Sequence, residues 1–170
     1  MTLKRCFPPV VNAQTRLLVL GSLPGEKSLA AARYYAHPQN RFWHLLGGVL
    51  QVDLPAQDYE TRLQTLLDHH VGLWDVVAEA TRAGSLDSNI RDHAANDLSA
   101  LIATLPQLRA VAFNGGTAAR IGLKQLLAPP VGLEIILLPS SSPAHTRPFA
   151  EKLEQWRVLS RFLQQPLRSS

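Results

Sequence analysis

Two stretches of the chain concentrate residue types that do chemistry. The first is GSLPGEKS, residues 21–28, directly after the apolar run Leu17–Leu20. Glycine-rich and ending in Lys27-Ser28, it invites comparison with a phosphate-binding loop. That loop needs four residues between its glycines and then an unbroken Gly-Lys-Ser/Thr. Gly21 and Gly25 bracket only three residues, and Glu26 separates Gly25 from Lys27. Pro24 removes a backbone N–H from the arc that would hold phosphate, and Glu26 sets a carboxylate where donors are needed. The stretch reads instead as a rigid strand-to-helix turn. The second is YYAHPQNRFW, residues 34–43, which gathers Tyr34, Tyr35, His37, Asn40, Phe42 and Trp43 in a chain with only 5 Phe, 3 Tyr and 3 Trp. A helix face would take Phe42 and Trp43 into a core. A Tyr-Tyr pair followed by His-Pro-Gln-Asn suits a heterocyclic ring, which can be stacked and hydrogen-bonded. Asp75 closes GLWD, and PSSSPAHT (139–146) supplies Ser140, Ser141, Ser142, Pro143 and His145, with Arg147 just beyond.

The elements that must position these residues are legible from periodicity. Four short apolar runs without strict alternation, Leu17–Leu20, Gly72–Val77, Ala110–Phe113 and Glu134–Leu138, read as strands covered on both faces. Helical spacing links Phe42, Leu45, Leu46 and Val49, then Leu63, Leu66 and Leu67, then Leu98, Leu101, Ile102 and Leu105. Further helices are expected over Thr117–Leu127 and Phe149–Gln165, the last turning Leu153, Trp156, Leu159 and Leu163 inward behind Pro148. Strand alternating with helix implies a three-layer α/β/α fold around a mostly parallel, four-stranded sheet. Ligands bind beyond the carboxyl ends of such strands, where GSLPGEKS, DVVAEATRAGS, NGGTA and PSSSPAHT all fall.

Length and composition bound the rest. The 170 residues, 46% hydrophobic and 18% charged, suit one soluble globular domain, with about residues 1–15 and 166–170 as loose ends. A net charge of +4 permits a polyanionic partner. One cysteine, Cys6, excludes an internal disulfide and a four-cysteine metal site. No run is long enough for a transmembrane helix, and the N-terminus does not read as a signal peptide, so a cytoplasmic location is expected, with no membrane partner. Asp68, His69 and His70 do not make a metal site, because adjacent histidines point to different faces of a helix. Neither a metal nor another cofactor is expected.

Taken in order, GSLPGEKSL, YYAHPQNRFW, GLWDVV, SLDSNI, FNGGTA and LPSSSPAHT resemble the uracil-DNA glycosylase superfamily, and more closely its hypoxanthine-DNA glycosylase branch, over about residues 15 to 163. The resemblance implies a repair enzyme that flips a deaminated base from double- or single-stranded DNA and hydrolyses its N-glycosidic bond, leaving an abasic site. In uracil-cleaving members the third residue of the first turn activates or holds water; Leu23 stands there and does neither. In the hypoxanthine branch the role passes to an Asn matching Asn40, which otherwise reads as a helix cap. Gly21, Ser22, Leu23, Pro24 and Gly25 become a platform under the base. Tyr34 or Tyr35 either stacks on the base or packs under the loop, and Phe42 is counted with them among the substrate-binding residues. Asp75 matches a position that reads the base edge, accepting from an N–H such as N1–H of hypoxanthine; the other reading is a cap or ion pair. Ser140, Ser141, Ser142, Pro143, His145 and Arg147 match the DNA-gripping loop, whose hydroxyl and backbone N–H groups would hold phosphates, although His145 departs from the usual His-Pro-Ser order. Asn114, Gly115 and Gly116 allow close backbone approach or helix packing. Arg82 and Arg91 neutralise phosphates or simply solvate the surface. Of the lysines only Lys27 is near the site, so a monofunctional, monomeric glycosylase is expected. Rival readings are a glycosylase for uracil or another lesion, a nucleotide-phosphate binder, an inactive nucleic-acid binder on the same fold, and a serine hydrolase through Ser22 or Ser141, which lacks the Gly-x-Ser-x-Gly elbow.

Overall fold

The computed structural model describes residues 3–82, 85–87 and 90–163; the side chains of Arg82 and Arg91, and the expected loose end at 166–170, lie outside the described residues. Four strands, β2 (Leu17–Gly21), β3 (Val71–Asp75), β6 (Ala110–Asn114) and β7 (Glu134–Leu138), form one parallel sheet in the order β3-β2-β6-β7. β2 is central, and all five of its residues are buried. Successive side chains of a strand point to opposite faces, which here divides the core in two. Leu17 and Val19 pack with Phe42, Trp43, Leu45 and Trp156, from α2 (Phe42–Leu50) and α6 (Phe149–Trp156). Leu18 and Leu20 pack with Leu98, Ile102, Ala118 and Ile121, from α4 (Leu98–Ala103) and α5 (Gly116–Gly122). This is the expected α/β/α sandwich. The remaining helices are α1 (Glu26–Ala31) and α3 (Tyr59–Asp68), the latter capped by Asp58, which accepts from the Thr61 N–H at 2.8 Å.

Three expectations need correction. The run Gly72–Val77 is not one strand. The chain leaves the parallel sheet at Val76, whose N–H donates to Gly21 O at 2.8 Å while the Asn96 amide donates to Asp75 O at 2.7 Å. Val77–Arg82 (β4) then enters a second, antiparallel sheet with β1 (Leu3–Arg5) and β5 (Ile90–Ala95), in the order β1-β4-β5. Residues 3–15 are consequently not loose: Leu3–Arg5 pair with Glu79–Thr81, and Val10 bridges Leu73. Third, α5 and α6 end early and tighten into 3₁₀ turns, Leu123–Gln125 and Arg157–Phe162, as last turns commonly do.

The order β3-β2-β6-β7 carries the chain from β2 to one side and from β6 to the other. The crevice at the carboxyl ends of these two adjacent strands is the topological switch point where open α/β sheets bind ligands. Gly21 ends β2 and Asn114 ends β6.

Candidate active site

A cavity of about 480 Å³ opens at that switch point, within the size range of small-molecule sites. It is walled by the turn Gly21–Gly25, the 34–40 loop, Asp75, the 85–87 segment of the β4–β5 loop, Asn114–Thr117 and the 140–145 loop. All the site residues expected from the sequence line it except Phe42 and Arg147. Phe42 is fully buried, and its ring lies flat beneath Tyr35 with centroids 3.8 Å apart and planes 13° apart. Arg147 lies outside the cavity, exposed, with its Nε 3.9 Å from Glu151.

Gly21 shows how tightly the floor is built. A Cβ there would lie 2.7 Å from Asp75 Oδ1 and 2.8 Å from the Tyr35 hydroxyl. The glycine is what lets a carboxylate and a phenol converge over the end of β2. Asp75 is 4% exposed. Burial, and then the Asp75 charge, push the Tyr35 hydroxyl well above the usual phenol range, so it stays protonated. Tyr35 has φ +54°, a left-handed conformation that costs a bulky residue about 1–3 kcal/mol. Its stack on Phe42 and a 3.3 Å hydrogen bond from the Asn114 amide hold it there. Tyr34 resolves differently: its hydroxyl donates to Pro8 O at 3.0 Å, its ring meets Phe7 edge-on, and only 3% of it is exposed. It packs under the loop, whereas Tyr35 offers the aromatic wall.

Asn40 does two things at once. Its Oδ1 accepts the Phe42 N–H at 2.9 Å, an Asx turn leading into α2, whose N-cap is Arg41 and not Asn40 as the cap reading had it, yet the residue also lines the cavity. The amide NH₂ can donate to a ligand, and Oδ1 keeps a second lone pair.

Asn114 ties the opposite walls together. Its Nδ2 donates to Ser141 Oγ at 2.9 Å and its Oδ1 accepts the Ser141 N–H at 2.9 Å, while the same amide reaches Tyr35. Neither close backbone approach nor helix packing, the two roles expected for Asn114, includes this side-chain bridge; a polar residue ending a buried strand is the signal for it. Behind the 140–145 loop, Lys152, 3% exposed, donates to Ser142 O at 3.3 Å and His145 O at 2.7 Å. Desolvation, and then Arg147, lower its amine below the usual lysine value. Within the loop the N–H groups of Ser141, Ser142, Ala144 and His145 are all bonded internally, to Asn114 Oδ1, Ser140 Oγ, Ser142 Oγ and Ser142 O. These N–H groups are therefore not spare donors for phosphate. The hydroxyls of Ser140 and Ser142, each accepting from an N–H, still have a proton to give. His145 lines the cavity with its Nδ1 buried and lacking a hydrogen-bond partner among the described residues.

The β4–β5 loop closes one side. Ser22 Oγ donates to Asp87 Oδ1 at 2.6 Å, and the Glu26 N–H donates to Ser85 Oγ at 2.9 Å. The SLDSNI segment thus supplies a cavity carboxylate that the sequence reading did not assign. Among the described residues no group of three or more His, Cys, Asp or Glu side chains could hold a metal ion, and no helix is long and apolar enough to cross a membrane.

Known proteins share this design. A family model described as the uracil DNA glycosylase superfamily matches residues 8–163. A protein of Methanosarcina acetivorans named hypoxanthine DNA glycosylase is 40% identical over 159 residues, covering 94% of this chain and 99% of that protein. One of the same name from Methanosarcina barkeri is 39% identical over 153 residues, covering 90% and 95%. A solution NMR structure of a Methanosarcina acetivorans protein superposes with a TM-score of 0.84 at 38% identity, over 95% of this chain and 99% of that one. With its sheet order, its switch-point cavity and a family match across most of its length, this chain belongs to the uracil DNA glycosylase superfamily.

Proposed function

We propose that the protein is a monofunctional DNA glycosylase that hydrolyses the N-glycosidic bond of hypoxanthine flipped from DNA, acting as a monomer and without a metal or other cofactor. The name carried by its relatives at about 40% identity supports the substrate class. The observation that carries the reading is one cavity lined by a flat ring, Tyr35, a buried acceptor, Asp75, and an amide donor, Asn40. A flipped purine stacks on Tyr35, and Asp75 accepts from its N1–H. The Asn40 NH₂ holds a water for C1′ of the sugar. As the C1′–N9 bond breaks, the sugar gains oxocarbenium character and the base leaves with the electron pair. Leu23, buried among Leu18, Leu20 and Val76, has no polar atom to offer water, which favours hypoxanthine chemistry built on Asn40 over the uracil pattern.

The test is single-turnover cleavage of duplexes carrying one hypoxanthine or one uracil, with alkali to cut abasic sites. Wild type releases hypoxanthine, and Asn40→Ala abolishes release. Asn40→Asp keeps an oxygen for the Phe42 N–H but loses the NH₂ donor, which separates the turn bond from water holding. Release of uracil by an Asn40→Ala variant with full activity would refute the reading.

A further inference from the structure

A base drawn into the cavity leaves its two flanking phosphates at the rim, where a protein meets them with cations. Several arginines are already engaged by the protein itself. Arg5, Arg147 and Arg161 face Glu79, Glu151 and Glu134, and Arg62 donates to Leu54 O and Pro55 O at 2.9 Å. Arg41 is different. It is exposed, and its guanidinium carbon stands over the Phe149 ring, 5.9 Å from the centroid. Among the described residues it meets no carboxylate. Phe149 is itself 38% exposed. Contact with a ring face steadies the charge and leaves the guanidinium's fork of N–H donors, which matches phosphate bidentately, to a ligand.

The cavity wall fixes where this pair sits. Arg41 directly follows Asn40, which lines the cavity, and consecutive Cα atoms are about 3.8 Å apart. The Arg41 N–H donates to Ser141 O at 3.0 Å, which ties its backbone to the 140–145 wall. Phe149 opens α6, the helix whose Lys152 holds the Ser142 and His145 carbonyls of that same wall. Neither Arg41 nor Phe149 lines the cavity; the pair stands outside it, on the side of the 140–145 loop. We propose that Arg41, propped on Phe149, is a phosphate contact for the DNA strand at this rim. The inference rests on the glycosylase reading above, which makes the ligand a DNA strand. Phosphate contacts set register and carry no sequence information. Arg41 therefore grips undamaged and lesion-bearing DNA alike, one residue along the chain from Asn40.

The alternative is an arginine that merely covers Phe149. Salt-dependent binding separates the two. Affinity is measured between about 50 and 200 mM salt with two duplexes, one undamaged and one carrying uncleavable 2′-fluoro-deoxyinosine. The proteins are wild type, Arg41→Ala, Arg41→Lys, Phe149→Leu and Arg161→Ala. Each phosphate contact to duplex DNA adds about 0.9 to the slope of log K against log salt. Arg41→Ala should flatten the slope by about that amount and bind both duplexes about eightfold more weakly at about 0.1 M salt. Arg41→Lys keeps the charge without the fork, so it should keep the slope and bind more weakly than wild type. Phe149→Leu keeps apolar bulk without the aromatic face, and should keep the slope with a smaller loss of affinity than Arg41→Ala. Arg161→Ala removes the same formal charge beside Glu134, at the amino end of β7 and away from the cavity, and should leave the slope unchanged. The contact is overturned if Arg41→Ala has the wild-type slope, if Arg161→Ala flattens it equally, or if the loss is confined to the lesion duplex. The glycosylase reading survives each of these results as long as wild type still releases hypoxanthine from a cleavable duplex. A wild type that binds neither duplex and releases no base overturns that reading and this contact together.

Discussion

Gly21→Ala probes the convergence at the floor of the cavity with one methyl group. Gly21 does not have a positive φ, so alanine meets no backbone barrier there and would on chain entropy alone stabilise the protein by about 0.4–1 kcal/mol. What opposes it is space. To reach ordinary contact at 3.4 Å, Asp75 Oδ1 and the Tyr35 hydroxyl must give by about 0.6 to 0.7 Å. Neither gives freely, because Asp75 is buried and Tyr35 is stacked on Phe42 and bonded to Asn114. Overpacking of this kind costs about 1–3 kcal/mol, so, set against the entropic gain, the net loss of stability is about 0–2.6 kcal/mol. Activity is the more sensitive readout, since a misplacement of about 1 Å at a reacting site costs about 10²-fold. Gly21→Ala should therefore melt within a few degrees of wild type yet cleave a hypoxanthine duplex about 10- to 100-fold more slowly under single turnover. Tyr35→Phe removes one of the two crowding atoms, so the pair should lose less than the sum of the single losses, a coupling that a double-mutant cycle reads directly. A Gly21→Ala enzyme with wild-type rate, or a strictly additive cycle, would refute the convergence of Asp75 and Tyr35 as the basis of the site.

Lys152 predicts a pH dependence. Its amine, facing the Ser142 and His145 carbonyls, with Arg147 and Glu151 nearby, is held below the usual lysine value by burial and by Arg147. Its anchoring of the loop is present below that lowered value and lost as pH rises through it, so wild-type activity should fall on the alkaline side, while Lys152→Met should be slower at neutral pH and flat there. Stability has the opposite sign: between the lowered value and the usual one the unfolded chain binds more protons, so Lys152 makes the fold more stable as pH rises, an effect absent from Lys152→Met in thermal melts. Asn114→Ala strands the Ser141 N–H and frees Tyr35; it should cost about 1–3 kcal/mol in chemical denaturation and weaken binding of a hypoxanthine duplex. Tyr34→Phe loses only the bond to Pro8 O and should cost about 0.5–1.5 kcal/mol of stability while leaving the single-turnover rate near wild type.

The parallel sheet was legible because its strands are short apolar runs, three of them ending in Gly, Asp or Asn and the fourth running into Pro139. The antiparallel sheet was not. IRDHAA (β5) shows little apolar character, and β4 continues out of β3 with no punctuation between Asp75 and Val77. The break is made by Asn96, more than twenty residues away in sequence, whose amide holds Asp75 O. Within the site, residue types identified the cavity wall but not the division of labour. Tyr34 and Tyr35 are indistinguishable in sequence; only the left-handed turn at Tyr35 sends one under the loop and the other to the cavity. The expectation that backbone N–H groups of PSSSPAHT hold phosphate meets a competitor, because serine hydroxyls accept the Ser142 and Ala144 N–H groups of their own loop, a local competition with no signature in composition. Lys152 carries no mark at all, lying on a helix that otherwise reads as amphipathic.

The antiparallel sheet has a consequence for how the enzyme comes into being. Phe7 accepts from the Trp74 indole 67 residues downstream, and Tyr34, at the root of the 34–40 loop, leans on Phe7 and Pro8. A nascent chain therefore makes Phe7 and Pro8 long before the strands that dock them, and contacts so distant in sequence form late. Until β3 and β4 have emerged, the loop bearing Asn40 lacks its backing. The stages of synthesis are thereby ordered: an incomplete translation product cannot assemble the pocket, and a complete cavity exists only once the polypeptide has closed on its own beginning.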